Sequence, residues 1–389
     1  MKAPLKSRRI DPASWPMMVL FVAIHLACFG AIWTGVQWQD IGLCLGLYAI
    51  RMFGVTAGYH RYFAHKAYKT GRVMQFLLAA LAQSSLQSGA LWWAAKHRDH
   101  HKYSDTPLDS HSPRQHGFWF AHMGWIFNAQ AQEADYARIA EFSKYPELVW
   151  LDKYHWVPGT ILGLSVWVLG GWSALVVGFI WSTVLLWHGT FCINSLVHVF
   201  GKQRYLTGDD SRNNWLFALL SLGEGWHNNH HYYMASARQG FRWWEVDITY
   251  YVLRGLALLG LVSDLRDPPP HVLEGQRPVS PELKDRIAEA LANSFSADRI
   301  VRRMQARWAE LHPGASFDDW RRRWHEQMAH GREQLTQVVH AELPSLDQLY
   351  RRARRKFART PAMEEIVTRA REMLAQSVML RLERVPAAA

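Results

Sequence analysis

Histidine is the feature that most constrains this chain. Three clusters stand beside long apolar segments: His60-Arg61-Tyr62-Phe63-Ala64-His65, His97-Arg98-Asp99-His100-His101 and His227-Asn228-Asn229-His230-His231. The first reads H-x4-H and the other two H-x2-H-H. With 20 His in 389 residues, two H-x2-H-H clusters arise by chance in roughly 0.1% of such chains. On a helix, positions i, i+3 and i+4 share one face about 5–6 Å apart, so each of these clusters can present three imidazoles to one side. The H-x4-H pair is about 140° apart on an ideal α-helix. That spacing fits a helix end, with His60 on the last turn and His65 in the loop beyond. Imidazole suits Fe, Zn, Cu or Ni, and eight donors exceed the four that a zinc ion takes, so a metal pair is expected.

The apolar segments set the topology. Lys2, Lys6, Arg8 and Arg9 precede an apolar run over 15–36 that lacks a small-residue cleavage site and reads as a retained transmembrane helix. A second run covers 41–59, with Arg51 near its end, where a long side chain can reach the interface. The longest stretch, 156–200, exceeds one crossing, and Gly170-Gly171 is its natural break. The segment 72–95 has Gln83, Ser84, Ser85, Gln87 and Ser88 in its middle, and 246–261 contains Asp247 and Arg254. Both read as interfacial helices. If 72–95 crossed the bilayer, His65 and His97 would face opposite compartments and could not share metal. The expected fold is therefore an all-α membrane protein: four transmembrane helices in two hairpins, with a His-rich di-metal cap and interfacial helices on the cytoplasmic side. The basic start gives that orientation.

The chain divides into a basic N-terminus (1–14), a membrane domain (15–265), a Pro-rich linker (266–280) holding Pro268-Pro269-Pro270, and a soluble basic helical extension (281–389). Cys28, Cys44 and Cys192 form no CxxC pair, which excludes a zinc knuckle and a disulfide framework. The net charge of +11 suits an anionic partner. Arg351-Arg352-Ala353-Arg354-Arg355-Lys356 is the one dense basic patch, and without a recognised module beside it no nucleic-acid partner is expected. Asp99 and Glu224 stand beside the clusters and can accept imidazole N–H bonds, with Arg98 or Arg61 as other partners for Asp99. A His-rich membrane metal transporter is the reading from another class. It predicts His inside the spans and inverted repeats, whereas these clusters lie outside the apolar cores.

HRYFAH, HRDHH and HNNHH, in this order between hydrophobic hairpins, resemble the integral-membrane fatty acyl desaturases, especially the acyl-CoA delta-9 (stearoyl-CoA type) branch, here as a bacterial form with a C-terminal extension. The resemblance extends to Thr56-Ala57-Gly58, Lys102-Tyr103-Ser104-Asp105, Gly117-Phe118-Trp119-Phe120-Ala121-His122-Met123-Gly124-Trp125 and Gly223-Glu224-Gly225-Trp226, and covers about residues 15–265. Asn194-Ser195-Leu196-Val197-His198 matches the family's N-S-x-x-H pattern. The resemblance thus implies a ninth ligand, His198, and an Asn194 that holds a water on the second metal. It also implies two iron ions, O2 as co-substrate, a fatty acyl substrate with acyl-CoA favoured, and a cis double bond at the ninth carbon. The site set is then His60, His65, His97, His100, His101, His198, His227, His230 and His231. Residues of the second transmembrane helix close the acyl tunnel in this family; Tyr48 and Cys44 lie twelve and sixteen residues before His60, near the same face. Trp93 and Trp226 are further candidate tunnel residues.

Dehydrogenating an unactivated methylene pair is beyond acid–base chemistry, which is why a metal pair is required. The chain carries no dinucleotide, flavin or iron–sulfur motif. A separate electron carrier is expected: a ferredoxin, a cytochrome b5 or a flavin/iron–sulfur reductase. One departure bears on the acyl carrier. Basic residues that hold a CoA head group in the acyl-CoA branch are replaced here by Ala95 and by Asn128-Ala129-Gln130, leaving Lys96, Lys102 and Arg114 as substitutes. An alkane or acyl hydroxylase shares three His boxes and is the same-chemistry alternative. The chain is expected to sit as a multi-pass protein in a bacterial inner membrane.

Overall fold

The computed structural model describes residues 4–5, 9–316 and 339–384, apart from the side chains of 383 and 384; Lys2, Lys6 and Arg8 lie outside the described residues. The chain forms two compact units, Met1–Leu273 and Glu274–Ala389. Three helical stretches of the first unit are long and apolar enough to cross a membrane: α1 (Pro12–Thr34), α2 (Trp38–Ala64) and a run over Val157–His198. The apolar window of α1 is nowhere buried, and Val19, Leu20, Leu26, Phe29, Ile32 and Trp33 point outward. So large an unpartnered apolar surface supports membrane association.

Helix α2 is α-helical through Phe53 and π-helical over Gly54–Ala64. The His65 N–H donates to the His60 carbonyl across 3.2 Å, an i→i+5 bond. The pair therefore stands one π turn apart instead of 140° apart, and its ring centroids are 4.9 Å from each other. Sequence periodicity does not reveal such a winding, which is most common at functional sites.

Arg51 corrects a second expectation. It does not reach an interface but is fully buried. Its guanidinium donates to the Leu47 carbonyl at 3.1 Å, Ser84 carbonyl at 3.3 Å, Thr183 hydroxyl at 2.8 Å and Ser182 hydroxyl at 2.5 Å, and lies over the Phe179 ring. These neutral acceptors come from three separate segments and satisfy the donor fork inside the protein.

The long run Val157–His198 bends back on itself. Its first arm, α6, is Val157–Ser173. The second, α7, is π-helical over Ala174–Trp181 and α-helical over Ser182–Asn194. Gly171, with φ 74° and ψ −165°, makes the reversal in a conformation closed to most side chains. Val166 of α6 then packs with Ala174 and Phe179 of α7.

The segment expected as one interfacial helix over 72–95 is two helices, α3 (Arg72–Gln83) and α4 (Ala90–Tyr103). Leu86 and Ser88 take positive φ between them. The polar stretch noted in the sequence is thus the break, and α4 runs on to carry the second His cluster. Asp152 of α5 (Pro146–Lys153) accepts the N–H groups of Leu91 and Trp92, each at 2.9 Å, at the open start of α4. The third cluster forms the short α8 (His227–Tyr232), and α9 is Ile248–Leu258. A two-residue antiparallel pair, Lys69–Thr70 with Val262–Ser263, ties the end of the first box to the end of α9. Under the histidines, Ala57, Phe63, Leu78, Ala82, Ala94, Leu151 and Leu253 build a common core from α2, α3, α4, α5 and α9.

The second unit is an α-helical bundle. Helix α13 (Met363–Arg384) packs on α10 (Pro281–Ala292), α11 (Ala297–Leu311) and α12 (Leu346–Lys356). Ile287 and Leu291, Ile300 and Met304, and Leu349 and Ala353 face Ile366, Ala370 and Leu374 in its buried interior.

Candidate metal centre

The nine histidines singled out in the sequence converge as two groups of ligand atoms. His60, His65, His97, His101 and His230 form a five-histidine group, and His100, His198, His227 and His231 a four-histidine group; within each, the ligand atoms lie within 4.8 Å of one another. The groups abut, with the His101 and His231 ring centroids 4.4 Å apart. Each H-x2-H-H cluster is divided between them. His97 and His101 join one group while His100 turns to the other; His227 and His231 pair while His230 crosses over. The i, i+4 partners thus share a group and the i+3 residue bridges to the next, a finer arrangement than three rings on one side.

Inside the five-histidine group the Nε2 atoms form a chain of close contacts. His60 and His230 are 2.9 Å apart, His230 and His101 2.9 Å, His101 and His97 2.9 Å, and His97 and His65 3.0 Å. In the other, His198 and His227 Nε2 are 3.1 Å apart. Burial pushes His65, His97, His101, His227 and His230 well below the usual imidazole range, and the adjoining rings add to the effect. The rings are therefore neutral near pH 7 and carry lone pairs. Buried lone pairs packed this closely repel unless a cation lies among them.

Carboxylates fix the tautomer. A His whose Nδ1 hydrogen goes to a carboxylate must offer Nε2 as the lone pair. His198 Nδ1 donates to Asp105 at 2.9 Å, His231 Nδ1 to Asp209 at 2.7 Å and His100 Nδ1 to Asp109 at 3.2 Å. His60 Nδ1 is paired with Glu224, which also takes a guanidinium nitrogen of Arg61 at 3.1 Å. Arg61 in turn pairs with Asp247 at 2.9 Å. Burial alone would raise these carboxyls, but the neighbouring rings and hydrogen bonds win: Asp105 is lowered to about 2, and Asp109, Asp209 and Glu224 are lowered too. His231 Nε2 is buried and has no hydrogen-bond partner among the described residues, as a metal-facing atom requires. The donor set thus fits two borderline cations, one in each group. Glycine aims Glu224: Gly223 takes φ +130°, and a Cβ on Gly225 would lie 2.0 Å from the Ala218 nitrogen.

Other expected site residues fall in different places. Asp99 is ion-paired with Arg138 at 2.5 Å; its expected partners Arg61 and Arg98 are taken up by Glu224 and Asp247 and by the Ala64 and Phe63 carbonyls. The positions that support the rings instead belong to Asp105, Asp109 and Asp209, which the sequence reading missed. Asp105 and Asp109 follow the second box closely, a signal that was legible; Asp209 lies in a distant loop and gave none. Trp93 stacks on His97 with centroids 4.9 Å apart and covers the five-histidine group. Trp226 is buried, and its indole N–H donates to the Val246 carbonyl at 2.8 Å, which makes it a brace ahead of α8. Tyr48 bridges α2 to the Leu220 carbonyl at 2.6 Å, and Cys44 is buried one turn before it. Asn194 ends α7, four residues from His198. Of the basic residues expected near an acyl carrier, Lys96 is buried and bonded to the Ala131 and Glu133 carbonyls, and Arg114 is paired with Asp210. Lys102 is exposed. His111 stacks on His100 at 4.5 Å and adjoins Asp109, a contact the sequence did not suggest.

Comparison with known proteins agrees with this geometry. The sequence profile described as fatty acid desaturase matches residues 36–260, and the chain belongs to the fatty acid desaturase family. An sn-1 stearoyl-lipid 9-desaturase of Anabaena variabilis is 37% identical over 256 residues, 65% of this chain and 94% of that protein. An acyl-CoA 5-desaturase of Anemone leveillei is 36% identical over 255 residues, 64% of this chain and 79% of that one. An sn-1 stearoyl-lipid 9-desaturase of Synechocystis sp. is 36% identical over 270 residues, covering 67% and 82%.

Proposed function

We propose that this chain is an O2-dependent desaturase that inserts a cis double bond at the ninth carbon of a saturated acyl chain. The observation that carries the reading is the convergence of nine imidazoles into abutting groups of five and four, with carboxylates holding the outer nitrogens of His60, His100, His198 and His231. Iron suits such a donor set. When bound, a pair of irons supplies the oxidising power from O2 that no side chain has. The balance is a saturated chain, O2, two electrons and two protons giving an olefin and two waters. Glu224, Asp105, Asp109 and Asp209 keep the rings oriented and their Nε2 atoms bare. Asn194 holds a water toward the four-histidine group, the one with fewer rings. Trp93 walls the five-histidine group from solvent. Electrons come from a separate carrier protein, for which the chain's basic balance favours an acidic face.

In this reading α1, α2, α6 and α7 make four crossings as two hairpins of a cytoplasmic membrane, and the histidines lie on the cytoplasmic side. An acyl group esterified to a membrane lipid is the favoured substrate form. Two of the three residues that would replace the missing CoA contacts, Lys96 and Arg114, are spent within the protein, and two of the relatives are named for lipid-bound substrates. The test is purified protein in nanodiscs, with iron, O2 and a ferredoxin-type donor, offered stearoyl-CoA and stearoyl-lipid in separate reactions. A 9-olefin from the lipid supports the whole reading. An olefin only from stearoyl-CoA would replace the carrier, and a hydroxylated chain would replace the reaction.

A further inference from the structure

The C-terminal unit carries a cleft of about 910 Å³ between α11 and α12. Arg299, Arg302 and Arg303 line it from α11, and Arg351, Arg352 and Arg355 from α12. Within each helix these residues are three or four apart, with one adjacent pair, so each forms a stripe along one face. The two stripes look into the same space. Among the described residues no acidic residue lines it.

Four other cations of this unit are matched by carboxylates. Lys284 pairs with Glu365 at 2.6 Å, Arg307 with Glu342 at 2.5 Å, Arg369 with Asp285 at 3.1 Å and Arg381 with Asp298 at 2.7 Å. In the cleft, Arg351 pairs with Asp347 of its own helix. Among the described residues no carboxylate pairs with the other five. All six side chains are exposed and gather about one cleft, so an anion that fills it would relieve the repulsion that solvent leaves between them. Guanidinium forks are suited to two oxygens at once, the geometry of phosphate. The volume of the cleft and the two stripes that line it suit several phosphates rather than one.

We propose that this cleft is a binding site for a ligand carrying clustered phosphate groups, either a soluble polyphosphate ester or phosphate headgroups of lipid. The cleft belongs to the second unit and the histidines to the first, and the proposal does not depend on the reaction proposed above.

The test uses the full-length protein in phosphatidylcholine nanodiscs, titrated calorimetrically with inorganic triphosphate. Saturable binding is expected, weakened at least about tenfold in Arg302→Gln/Arg303→Gln/Arg352→Gln, unchanged in Arg359→Gln, an exposed residue outside the cleft, and reduced by salt. The corresponding triple Lys variant, which keeps the charge but not the fork, should bind with intermediate strength and guards against a folding defect. Phosphatidic acid in the nanodisc that competes with triphosphate supports the site and assigns lipid as the source; triphosphate binding indifferent to that lipid supports it with a soluble ligand. Absence of saturable binding, or binding that the triple Gln variant leaves unchanged, overturns the proposal. So does a single-stranded oligonucleotide that binds through the same arginines far more tightly than triphosphate, because the surface would then serve nucleic acid.

Discussion

Replacing Asp209 with Asn changes one atom of the site, and its effect can be worked from the hydrogen bonds. Asp209 Oδ2 takes the His231 Nδ1 hydrogen at 2.7 Å. Its other oxygen accepts the Thr207 hydroxyl at 2.7 Å, the Ser211 N–H at 3.1 Å and the Ser211 hydroxyl at 2.5 Å. In Asp209→Asn those three donors pin the amide oxygen where Oδ1 was. The amide NH2 must then face His231 Nδ1, where two donors collide. The ring relieves the collision by moving its hydrogen to Nε2, the atom aimed into the four-histidine group. One metal-facing lone pair is lost. Changes to such supporting groups cost about 10–100-fold in metal affinity, or roughly 1.4–2.7 kcal/mol. Iron affinity should be measured by chelator competition on protein in nanodiscs. On the proposed di-iron reading, one iron should be lost at chelator concentrations that the original protein withstands. Asp210→Asn is the control, because Asp210 pairs with Arg114 instead of a histidine. Equal affinities in Asp209→Asn and Asp210→Asn would refute the tautomer argument.

Further outcomes are expected. Burial lowers His65, His97, His101, His227, His230 and His231 in the fold, so the unfolded chain binds more protons and stability is lost as pH falls below about 6.5, by up to about 1.4 kcal/mol per pH unit for each ring. Thermal midpoints of metal-free protein at pH 7.5 and 5.5 check this, and equal midpoints would contradict it. Arg51→Lys keeps the charge but cannot span Leu47, Ser84, Ser182 and Thr183, whereas Arg51→Met removes the buried charge altogether. The Lys variant should unfold at the lower temperature in detergent, by about 2 kcal/mol; the reverse order would show that the charge matters more than the fork. Tyr48→Ala should shift preference toward longer acyl chains and Cys44→Trp toward shorter ones, read as relative turnover on substrates of graded length at equal iron content. An unchanged profile in both variants would remove these residues from the tunnel wall.

The features legible in the sequence were those encoded locally. Apolar runs announced α1, α2 and the folded α6–α7 pair, and Gly171 marked the reversal because its backbone is closed to other residues. The spacing of the His clusters pointed to eight of the nine rings, and His198 came from the resemblance carried by Asn194-Ser195-Leu196-Val197-His198. What stayed hidden was encoded between distant segments. The fate of Arg51 depends on Ser182 and Thr183, more than 130 positions away. Its long side chain read as interfacial because it stands near the end of the apolar run. The π winding of α2 likewise has no periodic signature, although it alone sets His60 and His65 side by side. Asp99 was chosen for its neighbours in sequence, yet on α4 it points to Arg138 while its neighbour His100 points inward.

The two histidine groups are supported unequally, and that difference has a physical consequence. Three rings of the four-histidine group give their Nδ1 hydrogens to Asp105, Asp109 and Asp209, while in the five-histidine group Glu224 on His60 is the one such carboxylate among the described residues. A carboxylate behind an imidazole makes its metal-facing nitrogen a stronger donor. The group with fewer rings therefore gains in donor strength part of what it lacks in number. Glu224 differs from the three aspartates because Arg61 shares it and Asp247 completes the pair. Part of its charge is neutralised before it reaches His60, so the five-histidine group relies on ring count. On this argument the group with the weaker single donors would keep its metal through five bonds, and loss of any one ring there should release less metal, measured as bound metal per chain, than loss of His100, His198 or His231 from the other.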